Sequence, residues 1–230
     1  MPDRTDPKPA ADAAASRAAR KERRRERSRD EILAAARAVL LRSGIGARTL
    51  EDVAAEAGMS NTGLYYYFAS KDALVFELVH GTLERQAVAV RDAVAAAPDG
   101  GAALTAIIRE TVAGYGAQID DFRLAFLFGQ VAGAGAMTWS PEQFARVRPL
   151  NDMILGKAAA LLREPVPGGE RAAGVDPRLL AFLAYLSALG LLTMKGLVEQ
   201  MGDPLLYSDA QLVEGLARVF TAAAAPVGDA

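Results

Sequence analysis

Nowhere in this 230-residue chain do Val, Ile or aromatic residues alternate with polar ones over a strand's length, whereas apolar residues recur three and four positions apart from Ile32 onward. A period of two lines one face of a strand; a period near 3.6 lays apolar side chains along one side of a helix. Ala, the strongest helix former, dominates a composition that is 51% hydrophobic. The pattern predicts an all-α protein, long enough for two unequal helical domains.

There is no cysteine and one histidine, His80, so disulfides, thiolate zinc sites and Cys/His nucleophile pairs are excluded, and the cytoplasm is the expected compartment. No Gly-rich phosphate loop follows a strand and no HExxH pair occurs. Gly129, Gly133 and Gly135 do not form a dinucleotide fingerprint, so the sequence predicts no enzyme and no cofactor. His80 falls with Glu77 and Glu84 on one face of a predicted helix. Two carboxylates and an imidazole leave a metal site incomplete, so this group reads as a solvated polar face and no metal is expected.

Net charge is −2, but residues 1–72 hold 14 Lys and Arg against 11 Asp and Glu. Between Arg17 and Arg29 eight basic residues face only Glu22 and Glu26. Such a run is either a solvated tail or an arm that neutralises phosphates, and the neighbouring motif favours the arm. Residues 1–27 therefore read as a disordered basic arm, and the first twenty lack the apolar segment of a signal peptide. Leu179 to Met194 is uncharged and mostly apolar. Sixteen residues rise only about 24 Å as a helix, short of a bilayer's ~30 Å core, so a buried or dimer-forming helix is expected and no membrane partner.

Ser28 and Glu31 have capping-box spacing, predicting a first helix whose apolar face is Ile32, Ala35, Ala36, Val39 and Leu40 and whose stop is Gly44. Thr49 and Asp52 repeat the spacing and open a second helix, with Leu50, Val53, Ala54 and Ala57 inward and Gly58 at its end. Ser60 caps a third, carrying Asn61, Thr62, Gly63, Leu64, Tyr65, Tyr66 and Tyr67. Two short capped helices around Gly58-Met59-Ser60 make a helix-turn-helix plan, whose second helix lies in the major groove of DNA. Three consecutive tyrosines point about 100° apart and cannot all face one core, so at least one is exposed, where its ring suits a thymine methyl and its hydroxyl a phosphate.

These residues resemble the TetR family of bacterial transcriptional regulators. The likeness runs from Arg29 through Leu74, through Ile32-Leu33-Ala34-Ala35-Ala36, Gly44, Thr49-Leu50-Glu51-Asp52-Val53-Ala54, Ala57-Gly58-Met59-Ser60, Leu64-Tyr65-Tyr66-Tyr67-Phe68 and Ser70-Lys71, about a fifth of the chain. The resemblance implies a DNA-binding domain over residues 28–72 and a ligand-sensing and dimerisation domain over 73–225. It places Asn61, Thr62 and Tyr66 near base edges and Thr49, Tyr65, Tyr67 and Lys71 near phosphates, with Ser60 and Gly63 in the same surface. Asn pairs bidentately with adenine, Thr offers a methyl to thymine, and Lys71 sits at a helix N-terminus where N–H groups also attract phosphate. Gly63 departs from the polar or small hydroxyl residue usual there.

A fourth helix is expected from about Lys71 to Ala97, then two between Gly101 and Val131, a flexible Gly133-Ala134-Gly135 segment, a helix from about Ser140 to Leu162 and a loop from Pro165 to Gly174. Aromatic and Met side chains there are ordinary core by themselves. The resemblance makes them an effector pocket of Tyr115, Phe122, Phe126, Trp139, Phe144 and Met153, with Arg109 and Arg123 as the charged groups that would orient an anionic ligand. The last two helices, about 176–201 and 208–223, break at Gly202-Asp203-Pro204. Their apolar positions, Leu180, Leu183, Ala184, Leu191, Met194, Leu197, Leu212, Leu216 and Phe220, exceed what one small domain covers and predict a four-helix dimer interface.

The expected protein is a ligand-responsive repressor that binds a palindromic double-stranded operator as a homodimer and is released by a small, mostly apolar effector. The alternative is an all-helical ligand-binding or protein-interaction module without specific DNA binding.

Overall fold

The computed structural model describes residues 8–44, 48–127, 139–165, 174–201 and 207–225. Among the described residues every regular element is helical, as the apolar period requires. The Gly133–Gly135 segment, most of the Pro165–Gly174 loop and the Gly202-Asp203-Pro204 break lie outside them. The chain divides into two compact units, Met1–Leu78 and Val79–Ala230.

The first unit holds α1 (Lys8–Ser43), α2 (Thr49–Glu56), α3 (Asn61–Tyr67) and the start of α4 (Lys71–Ala95). Its core is Ile32, Ala35, Ala36 and Val39 from α1, Val53 and Ala54 from α2, and Leu64, Phe68 and Leu74. Leu74 in that core carries the unit boundary a few residues into α4, past the expected position at 72. Gly44, at φ +70°, ends α1, its N–H donating to the Leu40 carbonyl at 2.9 Å.

Two expectations for this unit are corrected. The helix does not begin at Ser28: residues 8–27 are helical and continuous with α1 instead of a disordered arm. Ala, Arg, Lys and Glu all favour helix, and once Ile32 to Leu40 nucleate one, upstream residues add by propagation alone. Thr49 does not cap α2. The cap is Arg48, without a side-chain capping bond, and its carbonyl accepts from Asp52 N–H at 3.0 Å while its own Nε donates to Glu51 at 3.0 Å. Thr49 is the first helical residue and is buried, 2% exposed.

The second unit continues α4 and adds α5 (Gly100–Ala117), α6 (Ile119–Phe122), a π-helical turn (Arg123–Leu127), α7 (Pro141–Arg163), α8 (Pro177–Met201) and α9 (Asp209–Ala224). Helix α5 is central and packs on α7, α8 and α9. Its start is capped by Asp99, which accepts from Ala102 N–H at 2.8 Å, and Gly100 brings it so close to Leu162 of α7 that a Cβ would meet that side chain at 2.7 Å. Ser140 with Gln143 and Ser208 with Gln211 form reciprocal capping boxes that start α7 and α9.

The apolar excess of α8 divides between its two sides. Leu180, Ala181, Ala184, Tyr185 and Ala188 are buried in the core; Leu179, Phe182, Leu183, Leu186 and Met194 are exposed. Of the positions expected at a dimer interface, Leu180, Ala184 and Phe220 instead pack within the chain, Leu183 and Met194 are exposed, and the side chain of Leu197 lies outside the described residues. Pro177–Lys195 is long and apolar enough to cross a membrane by composition, but its inward side is spoken for by the core.

Candidate DNA-binding surface and effector site

Helix α3 sits on its own small core through Leu64, leaving its other faces outward. The Gly63 N–H donates to Ser60 Oγ at 3.1 Å, so Ser60 caps α3, and Gly58 at φ +65° makes the turn before it. A Cβ at residue 63 would lie 3.3 Å from Ser60 Oγ, a close but adjustable contact.

Ser60, Asn61 and Thr62 are exposed, and so are Tyr65 and Tyr66, at 54% and 67%. Tyr67 turns partly into the core. The tyrosine run thus divides as its 100° steps demand. Lys71 opens α4, whose first turn is capped by Ser70 accepting from Ala73 N–H at 3.1 Å. Among the residues expected at DNA, Thr49 alone is buried; the others are exposed or half-buried on this unit.

Behind the surface, Arg29 bridges to Glu77 at 2.8 Å and lies over the Phe68 ring at 4.9 Å, tying α1 to the end of α3 and the start of α4. One turn earlier, Arg25 lies over the Tyr66 ring at 5.9 Å. The basic stretch is a helix with two arginines laid on the aromatic run, a contact that composition alone does not reveal.

The eight residues expected around an effector do not line one described cavity. Tyr115, Phe122 and Phe126 do cluster, with ring centroids 5.2–5.6 Å apart, over Leu192. Arg109 lies six residues from Tyr115, about 240° round the same helix, and points elsewhere. It binds Glu214 at 2.8 Å in a groove of about 600 Å³ between α5, α8 and α9 that Lys195 and Asp209 also line. Arg123 pairs with Asp120 at 3.1 Å. Trp139 packs on Phe144 at 5.6 Å, Phe144 is 58% exposed, and Met153 packs on the main core.

Polar groups near Tyr115 come from α4, α5, α6, the π-helical turn and α8, and of these sequence reasoning named only Tyr115 and Arg123. Among the described residues, the Thr111 hydroxyl and Nε of Arg123 are buried without a hydrogen-bond partner, and the Tyr115 hydroxyl is buried beside that of Tyr185. Burial, reinforced by Tyr185, holds the Tyr115 phenol far above its ordinary range, and burial pushes Tyr185 up to about 12. Both phenols therefore stay protonated donors at neutral pH. Asp121, 5% exposed, is held by Arg85 at 3.2 Å, and Gln86 of α4 donates to the Glu110 carbonyl at 2.8 Å. His80 is not on a solvated face: it is 8% exposed with Nε2 3.4 Å from the Arg146 carbonyl, and its helix is packed where an isolated-helix reading leaves it open. Among the described residues no cluster of His, Asp and Glu could hold a metal ion.

A capped, exposed helix behind a glycine turn, seated on a three-helix core, makes a helix-turn-helix unit, and a second helical unit follows it in the chain. Residues 32–78 match the model of the bacterial regulatory proteins of the tetR family. The match falls within the first unit of the chain. A stretch of 66 residues is 39% identical to the HTH-type transcriptional repressor KstR2 of Mycobacterium tuberculosis, covering 29% of this chain and 33% of that protein. Over 80 residues it is 34% identical to KstR2 of Rhodococcus jostii, covering 35% and 39%. The matches span little more than a third of those curated relatives. In fold the chain is similar to the transcriptional regulator FadR from Bacillus subtilis in complex with stearoyl-CoA, with TM-score 0.64, 16% identity and coverage of 84% and 97%. It is similar also to the fatty acid degradation regulator FadR from Bacillus halodurans, with TM-score 0.63, 18% identity and coverage of 84% and 94%. At these identities the likeness is one of fold.

Proposed function

We propose that the chain is a transcriptional repressor that binds a palindromic operator as a homodimer and releases it when a small, mostly apolar effector enters the helical unit. The observation that carries this reading is α3. Ser60, Asn61, Thr62, Tyr65 and Tyr66 are all exposed on one short helix whose other side is buried. Such a helix offers amide, methyl and ring groups to base edges, with Lys71 beside it for a phosphate.

Dimerisation is supported by the stripe Leu179, Phe182, Leu183 and Leu186 on α8, with Val219 at 65% exposure on α9, apolar surface that water does not favour. The effector reading rests on the cluster of Tyr115, Phe122 and Phe126. A ligand there meets flat apolar walls and finds the buried donors of Thr111 and Tyr115, which favour a hydrogen-bond acceptor on an otherwise apolar molecule. Helix α4 supplies Arg85 and Gln86 to this neighbourhood and begins at Lys71, so a shift of α4 carries the signal toward the operator surface. Coupling of ~1–3 kcal/mol weakens DNA binding roughly 5–150-fold.

Selection of bound duplexes from a randomised pool, followed by anisotropy titration of the recovered and a shuffled duplex, tests the proposal. A palindromic motif bound at least ~10³-fold more tightly than shuffled DNA supports it; equal affinity for both rejects it.

A further inference from the structure

Arg25 belongs by composition to a run of charge, but its geometry sets it apart. It lies 5.9 Å over the ring of Tyr66, which also meets Tyr67 edge-on at 5.2 Å and 89°. Tyr66 is 67% exposed and projects from a helix of seven residues, so its rotamer is open to adjustment by the groups that touch its ring. One turn further along α1, Arg29 lies over Phe68 and is locked by Glu77. The helix carrying Arg25 is thereby anchored, and the guanidinium is delivered to the ring by a rigid support instead of by a flexible tail.

We propose that Arg25 is a specificity-determining positioning residue: it holds the Tyr66 ring between itself and Tyr67 in the orientation that meets a base edge. The inference rests on α3 being the operator-reading helix. A planar guanidinium stacks on an aromatic face as an ammonium does not, and a ring already held in its bound rotamer loses less entropy on docking. Arg24 supplies the control. It carries the same charge, is exposed, and points about 100° away round α1.

The test compares Arg25→Met with Arg24→Met in the full chain, on a duplex recovered by selection and on a shuffled duplex of the same composition, across a salt series. Circular dichroism confirms equal helicity. The expected result is an extra loss of about two- to five-fold on the selected duplex for Arg25→Met alone, the range of an exposed cation–π contact. Affinity for shuffled DNA and the slope of log K against log salt stay equal for the two variants. In a Tyr66→Ala background the two become indistinguishable on the selected duplex too, since the ring to be positioned is gone. Equal losses for both variants with Tyr66 present, or an Arg25 effect that survives Tyr66→Ala, overturns the inference while leaving α3 as the reader. If Tyr66→Ala and Asn61→Ala both leave discrimination between the duplexes intact, the reading of α3 itself falls, and this inference with it.

Discussion

Gln86 and Gly114 occupy one space where α4 crosses α5: a Cβ on Gly114 would lie 2.2 Å from Gln86 Oε1. Gln86 is held there by its bond to the Glu110 carbonyl, and at 6% exposure it has no solvent to swing into. Gly114→Ala is expected to cost ~1–3 kcal/mol through that displaced buried amide, plus crowding. Denaturant unfolding checks it, and adding Gln86→Ala should cost less than the sum of the two single changes.

Base-reading and phosphate-binding residues should fail differently. Asn61→Ala is expected to cost ~1–3 kcal/mol on the selected duplex and little on shuffled DNA. Lys71→Ala should weaken both and lower the magnitude of the salt slope by about one per chain. Anisotropy titrations over a salt series distinguish the two patterns.

Leu183 and Leu186 stand one turn apart within the exposed stripe of α8, 40% and 43% exposed. A charge there cannot be buried without a large penalty, whereas in a monomer it stays in water. Leu183→Glu is expected to give a folded monomer by light scattering and to lose operator affinity more than tenfold.

The Tyr115 hydroxyl is buried beside Tyr185, and the desolvation of that group offsets what its contact there contributes to the free protein. Tyr115→Phe is expected to leave stability unchanged or raised by up to ~1–2 kcal/mol, while weakening the response to an acceptor-bearing effector. Thermal melting and effector-induced release of labelled DNA read the two effects separately.

Tyr185, raised by burial to about 12, is protonated in the folded chain where an unfolded phenol has already ionised. Its contribution is whole below pH ~10 and is lost as pH climbs from ~10 to 12, because the unfolded state there binds fewer protons. Stability should fall across that window, and Tyr185→Phe should flatten the fall. Urea midpoints between pH 9 and 12 measure it.

The helical class and the place of the turn were legible in the chain itself. Ile32, Ala36 and Val39 recur at helical spacing and are buried, Ser60 caps α3, and Gly44 and Gly58 take positive φ, since spacing and local hydrogen bonding act over only a few residues. Capping spacing misled at Ser28 and Thr49, where a continuing helix and a buried threonine displaced the local rule. Only the tertiary structure decided which apolar residues face inward. Leu180 and Leu183 are alike in sequence, yet one is 5% and the other 40% exposed. It also decided that Arg109 and Tyr115 serve different neighbourhoods, that His80 is buried, and that Arg25 rests on Tyr66. Each of these depends on elements distant in sequence meeting in space, which no local period encodes.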